Sequence, residues 1–226
     1  MTLILPLLLF LVLAACVGFT FAEGLWSNAV RLINVVTAAL LAMNFFEPLA
    51  RWIESWGDFF ASITYFLDFI MLWGLFFDFM VVFRQLTNMM SRVKVRFMAI
   101  VDRIGSVVLS LLVGWVMVAF TLTTLHTAPL AEKFLFGAFD YQSTMFLVGP
   151  DRQWIVFFTS VSRGPFSRAL AENEYGEYGA SAAEAVAEFD RPKKFMPNYA
   201  LRRAALESAA ESAGTPRVSP GSTPKR

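Results

Sequence analysis

The chain has 226 residues, of which 57% are hydrophobic and only 16% charged, whereas soluble domains are about 45–50% apolar and about 25% charged. Its net charge of +1 indicates no nucleic acid or acidic partner. A single cysteine, Cys16, and a single histidine, His126, exclude a disulfide framework and any Cys/His metal cluster built within one chain.

Four segments are apolar and long enough for membrane-spanning helices, since a bilayer core about 30 Å thick needs roughly 20 residues of helix. They run from Thr2 to Ala22, from about Val30 to Phe46, from Phe59 to Phe83 and from Ile104 to Leu125. The stretch LVLAAC, which ends at Cys16, resembles a lipoprotein cleavage site. No basic residue precedes it, however, and the apolar run continues beyond it, so we predict an uncleaved first helix.

The basic residues of the short loops predict the orientation of the bundle, because loops rich in Lys and Arg stay in the cytoplasm. The loop between the third and fourth spans is the most basic, with Arg84, Arg92, Lys94, Arg96 and Arg103. The first loop adds Arg31, whereas the second loop has Arg51. Both termini are therefore predicted to lie outside the cytoplasm. This basic loop either recruits anionic lipid headgroups as well or only fixes the topology.

Short motifs in these spans form a recognisable series. A turn with Gly18 and Gly24 follows the first span, the second ends in NFFEPLA, and Asp102-Arg103 leads into a fourth span with the small residues Ser106, Ser110 and Gly114. Over roughly residues 1 to 125 this series resembles the colicin V production protein (CvpA-like) family. The resemblance implies four spans, residence in the bacterial inner membrane and a part in colicin V production or export. It implies no known catalytic residues.

Polar and small residues within the spans are the candidate functional residues. They are Asp68 and Asp78 in the third span, Asn34, Thr37 and Asn44 in the second, and Ser106, Ser110 and Gly114 in the fourth, with Gly18 and Gly24 as further packing residues. An Asp at a helix centre costs about 2.5–3.5 kcal/mol on insertion scales, so it is expected to face protein or water. We place Asp68 near mid-depth and Asp78 closer to the basic end, on a polar interior shared by three helices.

Two interpretations of the aspartates stay open. In the structural one, Asp68 is hydrogen-bonded to an Asn or Thr of the second span, and Asp78 reaches Arg84 or Arg31 near the interface. In the functional one, the two carboxylates line a path for protons or a solute. His126, at the end of the fourth span, is predicted to be an interfacial or solvated residue.

The remainder of the chain divides into a cap, residues 127–168, and a low-complexity tail, residues 169–226, that we expect to be largely disordered. The cap contains GPDRQWIVFFTSVSRGP, residues 149–165, in which Asp151 is a plausible helix N-cap. Trp154, Phe157, Phe158 and Val161 form one apolar face at helical spacing. This helix is too short to span a membrane, so it is expected on the membrane surface or against the bundle.

The sequence thus predicts an all-α membrane protein: four transmembrane helices in residues 1–126, a short amphipathic helix and a disordered C-terminal tail. Without a catalytic or metal-binding motif, we expect no enzyme, cofactor or metal. The predicted function is that of a multi-pass inner-membrane protein in toxin production or export, or in envelope maintenance. The alternative is a small, oligomeric, proton-coupled transporter or channel. Expected partners are the lipid bilayer, export or envelope proteins and further copies of the chain, with no nucleic acid.

Overall fold

A computed structural model describes residues 4–57, 64–90, 98–128 and 149–162, together with 199–201, 203–205 and 208 near the C-terminus. The regular structure in these residues is entirely helical, which confirms the predicted fold class. Three residues of the predicted basic loop, Arg92, Lys94 and Arg96, lie outside the described residues, as do most of the predicted cap and tail.

Up to residue 162, the described residues form five helices in chain order: α1 (Ile4–Thr20), α2 (Leu25–Glu54), α3 (Thr64–Met90), α4 (Ala99–Thr127) and α5 (Pro150–Ser162). A single 3-10 turn, Phe21–Glu23, lies between α1 and α2. Four of the helices are long and apolar enough to cross a membrane, as predicted.

The helix ends differ from the predicted boundaries because apolar runs do not mark where a helix stops. Pro48 lies inside α2, although proline removes a backbone donor and usually breaks a helix. Phe46 and Ala50, on either side of it, are almost fully buried, so packing holds the helix together. Arg84, predicted to lie in the basic loop, is within α3, and Arg103 is within the first turns of α4.

Helix α4 packs against each of the other four helices. It runs antiparallel to α1, because Leu13 faces Gly114 and Phe21 lies against Ser106. Helices α2 and α3 are also antiparallel, as shown by the contacts from Asn34 to Thr87 and from Phe45 to Phe79. We call the end near Gly24 the turn end and the end where α4 meets α5 the cap end.

The middle of the bundle is an apolar core rich in aromatic rings. Phe46, Phe76 and Phe120 are buried there, and the rings of Phe76 and Phe120 are 4.7 Å apart. Trp154 of α5 reaches the same core, with its ring 6.1 Å from that of Phe120. A smaller cluster joins α1 to α4 through Leu5, Leu9, Val118 and Leu122.

Of the two locations considered for the amphipathic helix, the structure has α5 packed against the end of the bundle. Trp154 and Phe158 of the predicted apolar face are buried, together with Ile155, while Phe157 is 42% exposed. The indole N–H of Trp154 donates to Sδ of Met43 in α2 at 2.9 Å. This helix therefore closes the cap end.

Candidate functional site

At the turn end, the chain reverses between α1 and α2 on a glycine. Gly24 has φ +88°, a conformation that residues with a Cβ rarely adopt. A Cβ added there would also lie 3.4 Å from both carboxylate oxygens of Asp102. Oδ1 of Asp102 accepts a hydrogen bond from the backbone N–H of Leu25 at 2.9 Å. A carboxylate of α4 thus caps the N-terminus of α2, where negative charge is favourable.

Asn28 joins three elements at the same end and is fully buried. Its amide nitrogen faces the carbonyl oxygen of Thr20 at 2.9 Å and the hydroxyls of Ser106 and Ser110 at 2.9 and 3.1 Å. The Ser106 hydroxyl donates in turn to the carbonyl of Phe21, and the Ser110 hydroxyl donates to the carbonyl of Ser106. Because both hydroxyl protons are used in this way, the serine oxygens can only accept from Asn28, and its two amide hydrogens are shared among these oxygens and the Thr20 carbonyl.

The small residues of α4 allow the close contact with α1 and with the start of α2. A Cβ on Gly114 would lie 2.7 Å from a methyl group of Leu13 and 3.4 Å from its backbone oxygen, and a Cβ on Gly105 would overlap the side chain of Leu25. Gly18, also predicted to be a packing residue, is exposed, and a Cβ there would meet nothing within 4 Å. The small face of α4 therefore packs on α1, on the α1–α2 turn and on the start of α2.

The polar residues predicted in the second span, Asn34, Thr37 and Asn44, differ in their contacts. Asn34 donates to the hydroxyl of Thr87 in α3 at 3.3 Å. Asn44 donates to the carbonyl of Leu40 in its own helix at 2.9 Å, and Thr37 is half-buried. These side chains therefore do not form the single polar stripe that the sequence predicted.

The two aspartates of α3 have opposite environments. Asp68 is 7% exposed and lies near the first described residues of α3, at the cap end. Its Oδ2 accepts a hydrogen bond from the hydroxyl of Tyr199 at 3.2 Å. Asp78 is exposed and lies at the midpoint of the described span Phe66–Met89. The start of the predicted third span falls partly on residues 58–63, outside the described residues, so the depths of the two aspartates stay predictions.

At the cap end, a buried histidine and a buried carboxylate face each other. Nε2 of His126 is 3.2 Å from Oδ2 of Asp151, and the two residues are 1% and 5% exposed. His126 is therefore not the solvated or interfacial residue that was predicted. Asp151 lies in the first turn of α5, and its side chain bonds to α4, although an N-cap was predicted for it.

The electrostatics of Asp151 follow from these contacts. Burial raises the pKa of its carboxyl, but the hydrogen bond from His126 and backbone hydrogen bonds from Arg152 and from Asp151 itself outweigh burial. The pKa of Asp151 therefore lies below its ordinary value. The spacing of Asp151, Trp154 and Phe158 places all three on one face of α5, and that signal could have indicated a buried partner for the carboxylate.

A short helical piece near the C-terminus completes the cap end. Arg203 is 5% exposed, and its Nη1 donates to the backbone oxygen of His126 at 3.5 Å. Tyr199 and Arg203 are one turn apart, so they lie on the same side of this piece. Through them it contacts α3 at Asp68 and α4 at His126. No periodic apolar pattern indicated this contact, and the region was predicted to be largely disordered.

At the turn end and at the cap end, the polar side chains described above form hydrogen bonds to neighbouring helices or to the backbone. Among the described residues, no group of three or more His, Cys, Asp or Glu side chains could hold a metal ion. The hydroxyls of Thr123, Thr124 and Thr127, close to His126, donate to carbonyl oxygens of their own helix. Their protons are therefore engaged with the backbone and do not face the histidine as those of an activated nucleophile would.

Comparison with known proteins agrees with the arrangement of the four spans. The family model described as colicin V production protein matches residues 5–145. The chain belongs to this family. Searches of the curated proteins and of the solved structures each found no match. The family match covers α1 to α4 and therefore the hydrogen bonds of Asn28 and Asp102. It extends past residue 125, where the sequence resemblance was expected to end. Helix α5, with Asp151, lies beyond it.

Proposed function

We propose that this colicin V production family member is a non-enzymatic protein of the bacterial inner membrane that acts in toxin export or in maintenance of the cell envelope. The observation that carries the proposal is the family match across all four membrane-spanning helices. Family membership connects the chain with colicin V production, and the four helices place it in a membrane. The export or envelope role is the step that needs a test.

The polar contacts of the described residues support a non-enzymatic role. At the turn end, the side chains of Asn28, Ser106 and Asp102 are bonded to neighbouring helices and to the α1–α2 turn, where they fix helix positions. At the cap end, Asp151 of α5 bonds to His126 of α4, and Arg203 donates to the backbone oxygen of His126, so these contacts also join separate elements. This arrangement suits a scaffold that holds partner proteins or lipid, and both are proposed partners.

The test is deletion of the gene in its own host, with complementation by the wild-type chain. We expect deletion to reduce secretion of a colicin V-type peptide toxin or to increase sensitivity to detergent and bile salts, and complementation to restore both. A second complementing chain, Asn88→Asp, changes an exposed residue and is expected to restore both as well. If deletion leaves secretion and envelope integrity unchanged, the proposed role is wrong.

A second candidate function is a small proton-coupled transporter or channel, and one observation favours it. Asp78 is a carboxylate halfway along a membrane-spanning helix, and such residues often belong to ion or proton pathways. Purified protein in liposomes with an internal pH-sensitive dye tests this function. Proton flux that is lost in Asp78→Asn would support it, and no flux above empty liposomes in several lipid mixtures would exclude it.

Asp68 separates the structural interpretation from the pathway interpretation. In the structural one, Asp68→Asn keeps an acceptor for the hydroxyl of Tyr199 and preserves abundance in the membrane, while Asp68→Leu removes the acceptor and lowers abundance. A pathway role predicts that Asp68→Asn is abundant but inactive, because an amide does not carry a proton. If neither substitution changes abundance or activity, both interpretations of Asp68 are wrong.

A further inference from the structure

One face of α3 combines an exposed apolar surface with a carboxylate at mid-depth. At 100° per residue, Gly74, Val81 and Gln85 lie on the same side of the helix as Asp78, and all four residues are exposed. We call these four residues the Asp78 face. No other residue that the structure describes donates a hydrogen bond to the Asp78 carboxylate. This face is therefore uncovered by the part of the bundle that the structure describes.

Lipid is a poor environment for this face. Asp78 lies halfway along the described span Phe66–Met89, and about 16 Å of helix separate it from Met89, so apolar turns flank it on both sides. Long Lys and Arg side chains can reach an interface over part of such a distance, but the short Asp side chain cannot. A carboxyl in hydrocarbon has no water to bind, so it needs a polar partner supplied by protein.

We propose that a second copy of this chain packs on the Asp78 face, so that the two Asp78 carboxyl groups form hydrogen bonds with each other. Two copies inserted in the same orientation place every residue at the same depth, and a two-fold axis along the membrane normal brings like residues together. A carboxyl that carries its proton is both donor and acceptor, so a pair of Asp78 side chains satisfies itself. A different partner would need its own polar group at the same depth.

The neighbouring residues fit such a contact. Gly74, one turn from Asp78, has open space around it, since a Cβ added there would meet nothing within 4 Å. Glycine at this position lets a second helix approach closely, as small residues do in membrane helix pairs. Gln85, seven residues after Asp78, repeats a polar group at the spacing of a parallel helix pair. The proposal rests on the four-span arrangement and is independent of the role in export.

Cysteine cross-linking in native membranes tests the contact. In a Cys16→Ala background, Gln85→Cys places a thiol on the Asp78 face, and Leu111→Cys places one on α4 as a matched control. Leu111 is 47% exposed, and it lies at a depth similar to that of Gln85 because α3 and α4 are antiparallel and Phe76 contacts Phe120. On oxidation, we expect a covalent dimer of Gln85→Cys and little or none of Leu111→Cys, since a disulfide needs Cα atoms within about 7 Å.

Two further arms identify the partner and the role of the carboxyl. Co-expression of two differently tagged Gln85→Cys chains should give a disulfide-linked species that carries both tags. In the same chains, Asp78→Asn keeps a donor and an acceptor and should retain the dimer, while Asp78→Leu should lower its yield about tenfold. Circular dichroism and membrane abundance establish that each variant is folded.

Several results would overturn the proposal. Equal cross-linking at Gln85→Cys and Leu111→Cys would indicate random collision, and a cross-linked species with one tag only would indicate a different partner. Unchanged dimer in a folded Asp78→Leu variant would show that the carboxyl pair does not hold the copies together. Higher membrane abundance of Asp78→Leu without any dimer in the parent chain would place Asp78 in lipid.

Discussion

Asn28→Asp is the sharpest test of the turn-end network, because it keeps the shape of the side chain and removes its donor group. The amide nitrogen of Asn28 faces four acceptor atoms between 2.9 and 3.3 Å away, on Thr20, Ser106 and Ser110. A carboxylate would direct a second acceptor at these oxygens. A protonated carboxyl would donate one hydrogen bond, where the amide has two hydrogens to donate.

The size of the effect follows from the number of donors lost. With the carboxyl protonated, at least one buried acceptor at the turn end loses its donor, which costs about 1–3 kcal/mol. If the carboxyl ionises instead, an uncompensated buried charge costs about 3–5 kcal/mol. For a chain of this length, 1 kcal/mol corresponds to about 2–4 °C in melting temperature. We therefore expect Asn28→Asp to lower the melting temperature by about 2 °C at the lowest estimate and by about 20 °C at the highest.

The assay is thermal unfolding of the purified protein in a mild detergent, followed by size-exclusion chromatography with detection of the intrinsic fluorescence of its tryptophans. Asn88→Asp, the same change at an exposed residue of α3, is the control and should lie within about 0.5 kcal/mol of wild type. Ser106→Ala combined with Asn28→Ala should cost less than the sum of the single changes, since both remove the same hydrogen bond. Equal melting temperatures for Asn28→Asp and Asn88→Asp would refute the role given to Asn28.

Three further predictions concern packing, charge and topology. Gly114→Val should destabilise the protein by about 1–3 kcal/mol in the same thermal assay, because its side chain would meet the backbone of α1, whereas Gly18→Val should be tolerated. Asp151→Asn should weaken the contact with His126. Because the pKa of Asp151 is lowered in the folded protein, its carboxylate stabilises the fold above about pH 4, and this stabilisation is lost as the pH falls through the folded pKa. The difference in stability between the variant and wild type should therefore shrink in acid. Reporter fusions after residue 130 should be active as a periplasmic phosphatase and dark as a cytoplasmic fluorescent protein, and the reverse would invert the predicted orientation.

The number of spans could be predicted from the sequence because it depends only on the length and polarity of apolar runs. The ends of the helices could not, since they depend on contacts between helices. Pro48 is a clear instance: it reads as a stop signal, but the buried side chains around it hold α2 together for six more residues, up to Glu54.

The partners of the polar residues were harder to predict for a related reason. The contacts of Asn28 with Ser106 and of His126 with Asp151 join residues that are 78 and 25 positions apart in the chain. Helical periodicity reports which residues share a face, but it does not report which helix covers that face. Ser106, Ser110 and Gly114 share one face of α4, and in the structure that face contacts α1, the turn at Gly24 and Asn28 of α2.

The position of the buried residues also bears on the choice between scaffold and transporter. Phe46, Leu72, Phe76 and Phe120 are each at most 2% exposed and fill the middle of the described bundle. A proton path through the centre of one copy would have to cross this apolar layer, in which the described residues offer no titratable side chain. A transporter would instead need its path between copies, along the Asp78 face. Cross-linked dimers that conduct protons only with Asp78 intact would favour the transporter, whereas the same dimers without flux would leave Asp78 as the contact that holds a scaffold together.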